Sequence, residues 1–135
     1  MKKNYSLIFL FLFSFSFVFS QVQVGNGTDT NQSLPIEPYY GYTYSQVIYT
    51  SAEINSSGDI SGVSYTATAE TTLASSSDWT VYMAHTSNSS FADGDSWEPI
   101  ENLTQMFSGT VSISDGVVTI PFDTPFSYNG TDNLV

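Results

Sequence analysis

Apolar side chains recur at every second position along most of this chain, and no stretch repeats them at convincing helical spacing. Over 60–69 (ISGVSYTATA) Val63, Tyr65, Ala67 and Ala69 fall on one face. Over 79–86 (WTVYMAHT) Trp79, Val81, Met83 and His85 oppose Thr80, Tyr82 and Ala84. Over 107–113 (FSGTVSI) Phe107, Gly109, Val111 and Ile113 oppose Ser108, Thr110 and Ser112. Residues 117–122 (VVTIPF) read as the hairpin partner of that strand across Ser114-Asp115-Gly116, because Asp-Gly suits the tight turn of a hairpin. A further strand is expected over 42–49, and 51–55 (SAEIN) is long enough for a single helical turn.

Clusters of Ser, Asn, Gly and Asp at 55–59, 75–78, 87–96 and 129–133 punctuate these segments as loops. Short strands with regular turns predict an all-β fold, an antiparallel β-sandwich or jelly roll occupying 21–135 as one domain. Leu134 and Val135 read as the opening of one more strand, so the expected sandwich lacks one or more C-terminal strands.

The first twenty residues follow a different rule. Lys2 and Lys3 precede an apolar run over 7–19, and Val18 and Ser20 stand at −3 and −1 of a cut before Gln21. That is the layout of a secretory signal peptide over 1–20, too short an apolar run to span a bilayer core of ~30 Å. The expected destination is secreted, extracellular or cell surface. No membrane insertion is expected after cleavage.

Charge sharpens this picture. Lys2 and Lys3 are the only basic side chains apart from His85, while all 13 carboxylates lie beyond residue 20. A polyanion without Lys or Arg excludes nucleic acid as a partner and is repelled by anionic lipid. Such charge can also signal disorder, but the tryptophans, tyrosines and β-branched runs argue for a folded domain. The absence of cysteine removes disulfides, thiolate nucleophiles and Cys-ligated metals.

Candidate chemistry is sparse. In Asp93-Gly94-Asp95-Ser96-Trp97-Glu98 the carboxylates of Asp93, Asp95 and Glu98 form a candidate Ca²⁺ site, against the plainer reading of a solvated acidic turn. His85 has no catalytic partner in any recognisable motif and reads as a core or rim histidine satisfied by a hydrogen bond. Acid pairs that could cleave glycosides arise by chance among so many carboxylates, so no enzyme is expected.

The aromatic stretch 35–50 (PIEPYYGYTYSQVIYT) is the strongest binding feature. Tyr39 and Tyr40, with Trp97, are the candidate ligand contacts, since flat amphipathic rings suit the apolar faces of sugars. Tyr42 and Tyr44 share one strand face and are expected to pack inward.

Three groups of residues together resemble a known module. They are Leu34-Pro35-Ile36 with Tyr39 to Gln46, Ile48-Tyr49-Thr50, Ile54, Gly58 and Ile60; then Asp78 to Thr86 with Phe91; then Leu103 to Val111, Pro125-Phe126 and Asn133-Leu134-Val135. The combination resembles the N-terminal β-sandwich module of large secreted and cell-surface proteins of Bacteroidetes, often exported by the type IX system. The resemblance implies a non-catalytic accessory or adhesion unit whose partner is an extracellular polysaccharide or a cell-surface protein. It brings no catalytic residues with it. Two other readings stand beside it: the N-terminal fragment of a larger secreted hydrolase (protease or glycosidase), and a purely structural spacer.

Overall fold

A computed structural model describes residues 21–27, 31, 34–37, 39–67, 73 and 76–135. The signal peptide expected over 1–20, Pro38, and the end of the strand expected over 60–69 lie outside the described residues. The fold is all-β, built among the described residues from antiparallel strand pairs with one short α-helical turn and one 3₁₀ turn (Ile100–Asn102).

The α-helical turn, α1 (Ser51–Ile54), is held by a capping box. Thr50 Oγ1 accepts from the Glu53 N–H at 3.3 Å, and the Glu53 carboxylate accepts from the Thr50 N–H at 2.8 Å. Asn55, at φ 45°, closes it after one turn.

The longest pairing joins β1 (Gly58–Thr66) to β6 (Val117–Tyr128), antiparallel, with Val63 opposite Ile120 and Tyr65 opposite Val118. The short β5 (Ile113–Ser114) adds to the other edge of β6. The connection is the two-residue turn expected at Asp115-Gly116, with φ of 51° and 76°. Positive φ at both positions gives the turn the hand that matches strand twist.

Two features shape β6. Its even-numbered residues Val118, Ile120 and Tyr128 are buried while Thr119, Pro121 and Ser127 face out, which is period-two burial. The register then jumps between Ile60 opposite Phe126 and Gly62 opposite Pro121, leaving Ser61 facing 122–125. This bulge accommodates Pro121 and Pro125, which have no N–H for a ladder. Gly62 belongs here because a Cβ would stand 2.7 Å from the Ile120 carbonyl oxygen.

The strand expected over 107–113 is divided. β4 (Thr104–Gly109) pairs with β2 (Trp79–Met83), and past Gly109 the Val111 N–H donates to the Ser76 carbonyl at 2.8 Å, away from β6. The segment 79–86 is also divided, into β2 and β3 (His85–Thr86). At Ala84 between them both backbone groups pair with Val135, at 2.9 and 3.0 Å. β7 (Asn133–Leu134) pairs with β3 on one side, while Leu134 exchanges two hydrogen bonds with Tyr49 on the other, at 2.8 and 2.9 Å.

Leu134 is therefore a central strand residue, and it is buried with Ile54, Met83, Met106 and Tyr128 in one cluster. Val111, Val118 and Ile120 form a second, flanked by Val63, Tyr65, Trp79, Val81 and Phe107.

The strand expected over 42–49 does not form; only Tyr49 makes a bridge. Side chains replace the ladder. Ser45 Oγ donates to the Pro35 carbonyl at 2.6 Å, Thr43 Oγ1 donates to the Glu37 carbonyl at 3.1 Å, and the Glu37 N–H donates back to Thr43 Oγ1 at 3.3 Å. Hydroxyls that bond nearby backbone compete with strand pairing, and here they close residues 35–45 into a loop.

Candidate functional site

This loop carries the tyrosines, and a side chain at its end ties it to the acidic loop 87–96 and its continuation. Gln46 Nε2 donates to the Glu98 carbonyl at 2.9 Å while the Glu98 N–H donates to Gln46 Oε1 at 2.8 Å. A primary amide has the same donor and acceptor as a peptide unit, so Gln46 mimics one rung of a ladder. Gln46 Nε2 also lies 2.6 Å from the Tyr44 hydroxyl.

From Glu98 the network continues inward. Its Oε1 accepts from Thr86 Oγ1 at 2.9 Å and from Asn88 Nδ2 at 2.6 Å. Asn133 Nδ2 then donates to the Asn88 carbonyl at 3.0 Å, and Asn133 Oδ1 accepts the Ser51 N–H at 2.8 Å. The loop is thereby anchored through β3 and β7 to the start of α1.

The consequence is an outward-facing aromatic recess. Tyr40, Tyr42, Tyr44 and Trp97 line it with Leu34, Glu37 and Gln46. The Tyr44 and Trp97 ring centroids are 5.0 Å apart, and Phe91 supports Trp97 from 6.4 Å. Tyr39 meets Tyr40 edge to face at 5.1 Å. The expectation that Tyr42 and Tyr44 pack inward is corrected: Tyr42 is 98% exposed and Tyr44 53%. Without a strand there is no alternation to turn them toward the core.

A second cleft of ≈ 390 Å³ shares Glu37, Tyr40, Tyr42, Tyr44 and Gln46 with the recess and extends from them over Val63, Tyr65, Trp79, Val81, Met83 and Leu134. Two half-buried phenols, Tyr49 and Tyr65, lie close to each other on its wall. Burial pushes both hydroxyls above their ordinary pKa, and the nearby Tyr49 phenol raises Tyr65 further. This arrangement keeps both phenols neutral at ordinary pH.

Two of the three acids of the candidate metal site, Asp93 and Glu98, are engaged by other partners. Asp93 caps its own turn: Ser96 Oγ donates to its Oδ1 at 2.7 Å and the Asp95 N–H at 3.0 Å, which hold its carboxyl below the usual carboxylate range. Glu98 points instead to Thr86 and Asn88. Among the described residues no three His, Asp or Glu side chains form a group that could hold a metal ion. His85 sits at the rim of the first core cluster, its ring stacked on Tyr128 and tilted against Phe126, with Nε2 accepting the Asn129 N–H at 3.2 Å.

Family models, curated proteins and solved structures give no match to this chain. The site must be judged on its own chemistry.

Of the three aromatic residues singled out in the sequence, Tyr40 and Trp97 line one recess and Tyr39 packs beside them. Sequence reasoning missed Gln46, Glu37, Tyr42 and Tyr44 as members of it. Gln46 is 52 positions from Glu98 and in no recognisable motif, so no local pattern announces the clamp. The Thr43 and Ser45 hydroxyls inside the tyrosine run were the available sign that loop closure would win over a strand.

Proposed function

We propose that this chain is an exported, non-catalytic β-rich module, an accessory or adhesion unit of a cell-surface protein, that contacts carbohydrate through Tyr40, Tyr44 and Trp97. The signal-peptide layout of residues 1–20 supports export. The resemblance to the N-terminal modules of type IX cargo supports a surface-protein context and a β-sandwich arrangement of the two core clusters.

The observation that carries the binding reading is the clamped aromatic recess. Burying a large side chain stabilises a fold by about 1.5–3 kcal/mol, yet Tyr39, Tyr40, Tyr42, Tyr44 and Trp97 keep much of their surface in water. A hydrogen-bond network nevertheless holds Tyr44 against Trp97, so the rings are ordered before any ligand arrives. Pre-ordered rings lose little freedom on binding, and their flat faces match the apolar faces of sugar rings. The recess opens outward, as a polymer contact needs.

A glycan array probed with the mature chain and with a Tyr40→Ala/Trp97→Ala variant tests this. Retention of one glycan class by the parent, lost in the variant, is the expected result. Equal binding by both, or none by either, would remove the recess as a sugar contact.

A further inference from the structure

We propose that the aromatic recess selects glycans by charge, taking amine-bearing, cationic saccharides and turning away uronate-rich or sulfated ones. The inference rests on the sugar-contacting reading and adds the ligand class to it.

Glu37 is the carboxylate that lines the recess with Tyr40, Tyr42, Tyr44 and Trp97. Its position is built into the loop. Its Oε1 accepts the Tyr39 N–H at 3.2 Å, its carbonyl accepts the Tyr40 N–H at 3.3 Å, and its backbone exchanges two bonds with Thr43. The acid therefore stands at the base of the turn that displays the tyrosines. Aromatic faces are themselves electronegative and attract cations, so the rings and the carboxylate present one sign to a ligand.

The wider field agrees. Beyond residue 20 the chain carries 13 carboxylates and neither lysine nor arginine, so it offers a uronate or a sulfate no lysine or arginine to pair with. An anionic polymer drawn into the recess would meet only like charge within a screening length of ~8 Å. A protonated amino sugar offers what the site can use: an apolar ring face to stack, and an ammonium for the rings and for Glu37.

The test is isothermal titration at low salt and mildly acidic pH with the hexamers of glucosamine and N-acetylglucosamine and with an oligogalacturonate. The glucosamine hexamer is expected to bind about tenfold more tightly than its acetylated counterpart, and the galacturonate not at all. Glu37→Gln, which keeps an acceptor for the Tyr39 N–H, should reduce the preference to about threefold or less. If the neutral hexamer binds as tightly as the cationic one, with dependence on Tyr40 and Trp97, charge selection is overturned and sugar contact survives. If the cationic preference persists in Tyr40→Ala/Trp97→Ala, the attraction belongs to the whole polyanion and the recess is not its seat. If neither hexamer nor the oligogalacturonate binds the parent, charge selection is overturned; if the glycan array is also blank, the sugar-contacting reading falls with it.

Discussion

Gln46 and Glu98 exchange two hydrogen bonds across 52 positions of sequence, side-chain amide to backbone, at 2.9 and 2.8 Å. With the Tyr44–Trp97 ring contact at 5.0 Å, this pair joins the tyrosine loop to the segment that carries Trp97. Through Tyr44 the same amide touches the recess, and through Thr86 and Asn88 the glutamate reaches β3 and its loop. The aromatic site therefore depends on a residue that need not touch ligand.

Gln46→Ala should separate the two halves of the recess. Leaving the half-buried Glu98 N–H without its partner costs about 1–3 kcal/mol, and the midpoint of thermal unfolding falls by several degrees. Trp97 emission should shift to the red as Tyr44 leaves its ring, while β1 and β6 remain protected from amide exchange. Unchanged Trp97 emission would show that the rings are held by something other than the clamp.

The phenol pair predicts an alkaline limit to stability. Tyr49 and Tyr65 are both raised above their ordinary value of 10.0, first by burial. The unfolded chain therefore releases these protons at lower pH than the folded one, and stability falls as pH rises above about 10. Below that pH the contribution is fully present. Tyr65→Phe should flatten this alkaline decline, as read from denaturant midpoints in a pH series. An equally steep decline in the variant would contradict the pairing.

Gly62→Ala should destabilise out of proportion to its size. The new methyl would meet the Ile120 carbonyl oxygen at 2.7 Å and Pro121 Cα at 3.2 Å, both backbone atoms that cannot rotate aside. The expected loss is about 1–3 kcal/mol by chemical denaturation. Ile120→Ala, at the most deeply buried side chain of the second cluster, should cost about 2–5 kcal/mol.

Much of the architecture was legible because period-two alternation is a local signal. Val118 and Ile120, Val63 and Tyr65, and the Asp115-Gly116 turn all lie where the pattern places them. The reading failed where local alternation was outbid by particular partners. The strand over 42–49 yielded to the hydroxyls of Thr43 and Ser45, and Tyr42 and Tyr44 turned outward with it. The strand over 107–113 was divided at Gly109, with Val111 bonding Ser76. Tyr40 and Trp97 could be named from residue type alone. Their meeting in one recess could not, since it runs through Gln46 and Glu98.

Calcium offers a further check. Asp93 is occupied by Ser96 and Asp95, and Glu98 by Thr86 and Asn88, so the acids lack a common focus in this arrangement. The unfolding midpoint should move by less than about one degree between millimolar Ca²⁺ and chelator, since only a ligand of the folded state raises it. A clear rise with Ca²⁺ would show that Asp93, Asp95 and Glu98 regroup around the ion.

The two tryptophans allow the central claim to be read at single residues. Trp97 lines the recess and not the adjoining cleft, and Trp79 lines the cleft and not the recess, though both sites share Tyr40, Tyr42 and Tyr44. Their indole N–H resonances can be followed separately by two-dimensional NMR while the glucosamine and N-acetylglucosamine hexamers are titrated into residues 21–135. The account predicts a saturable shift of the Trp97 signal with Trp79 unmoved. Movement of Trp79 alone, or of neither at saturating sugar, would contradict it.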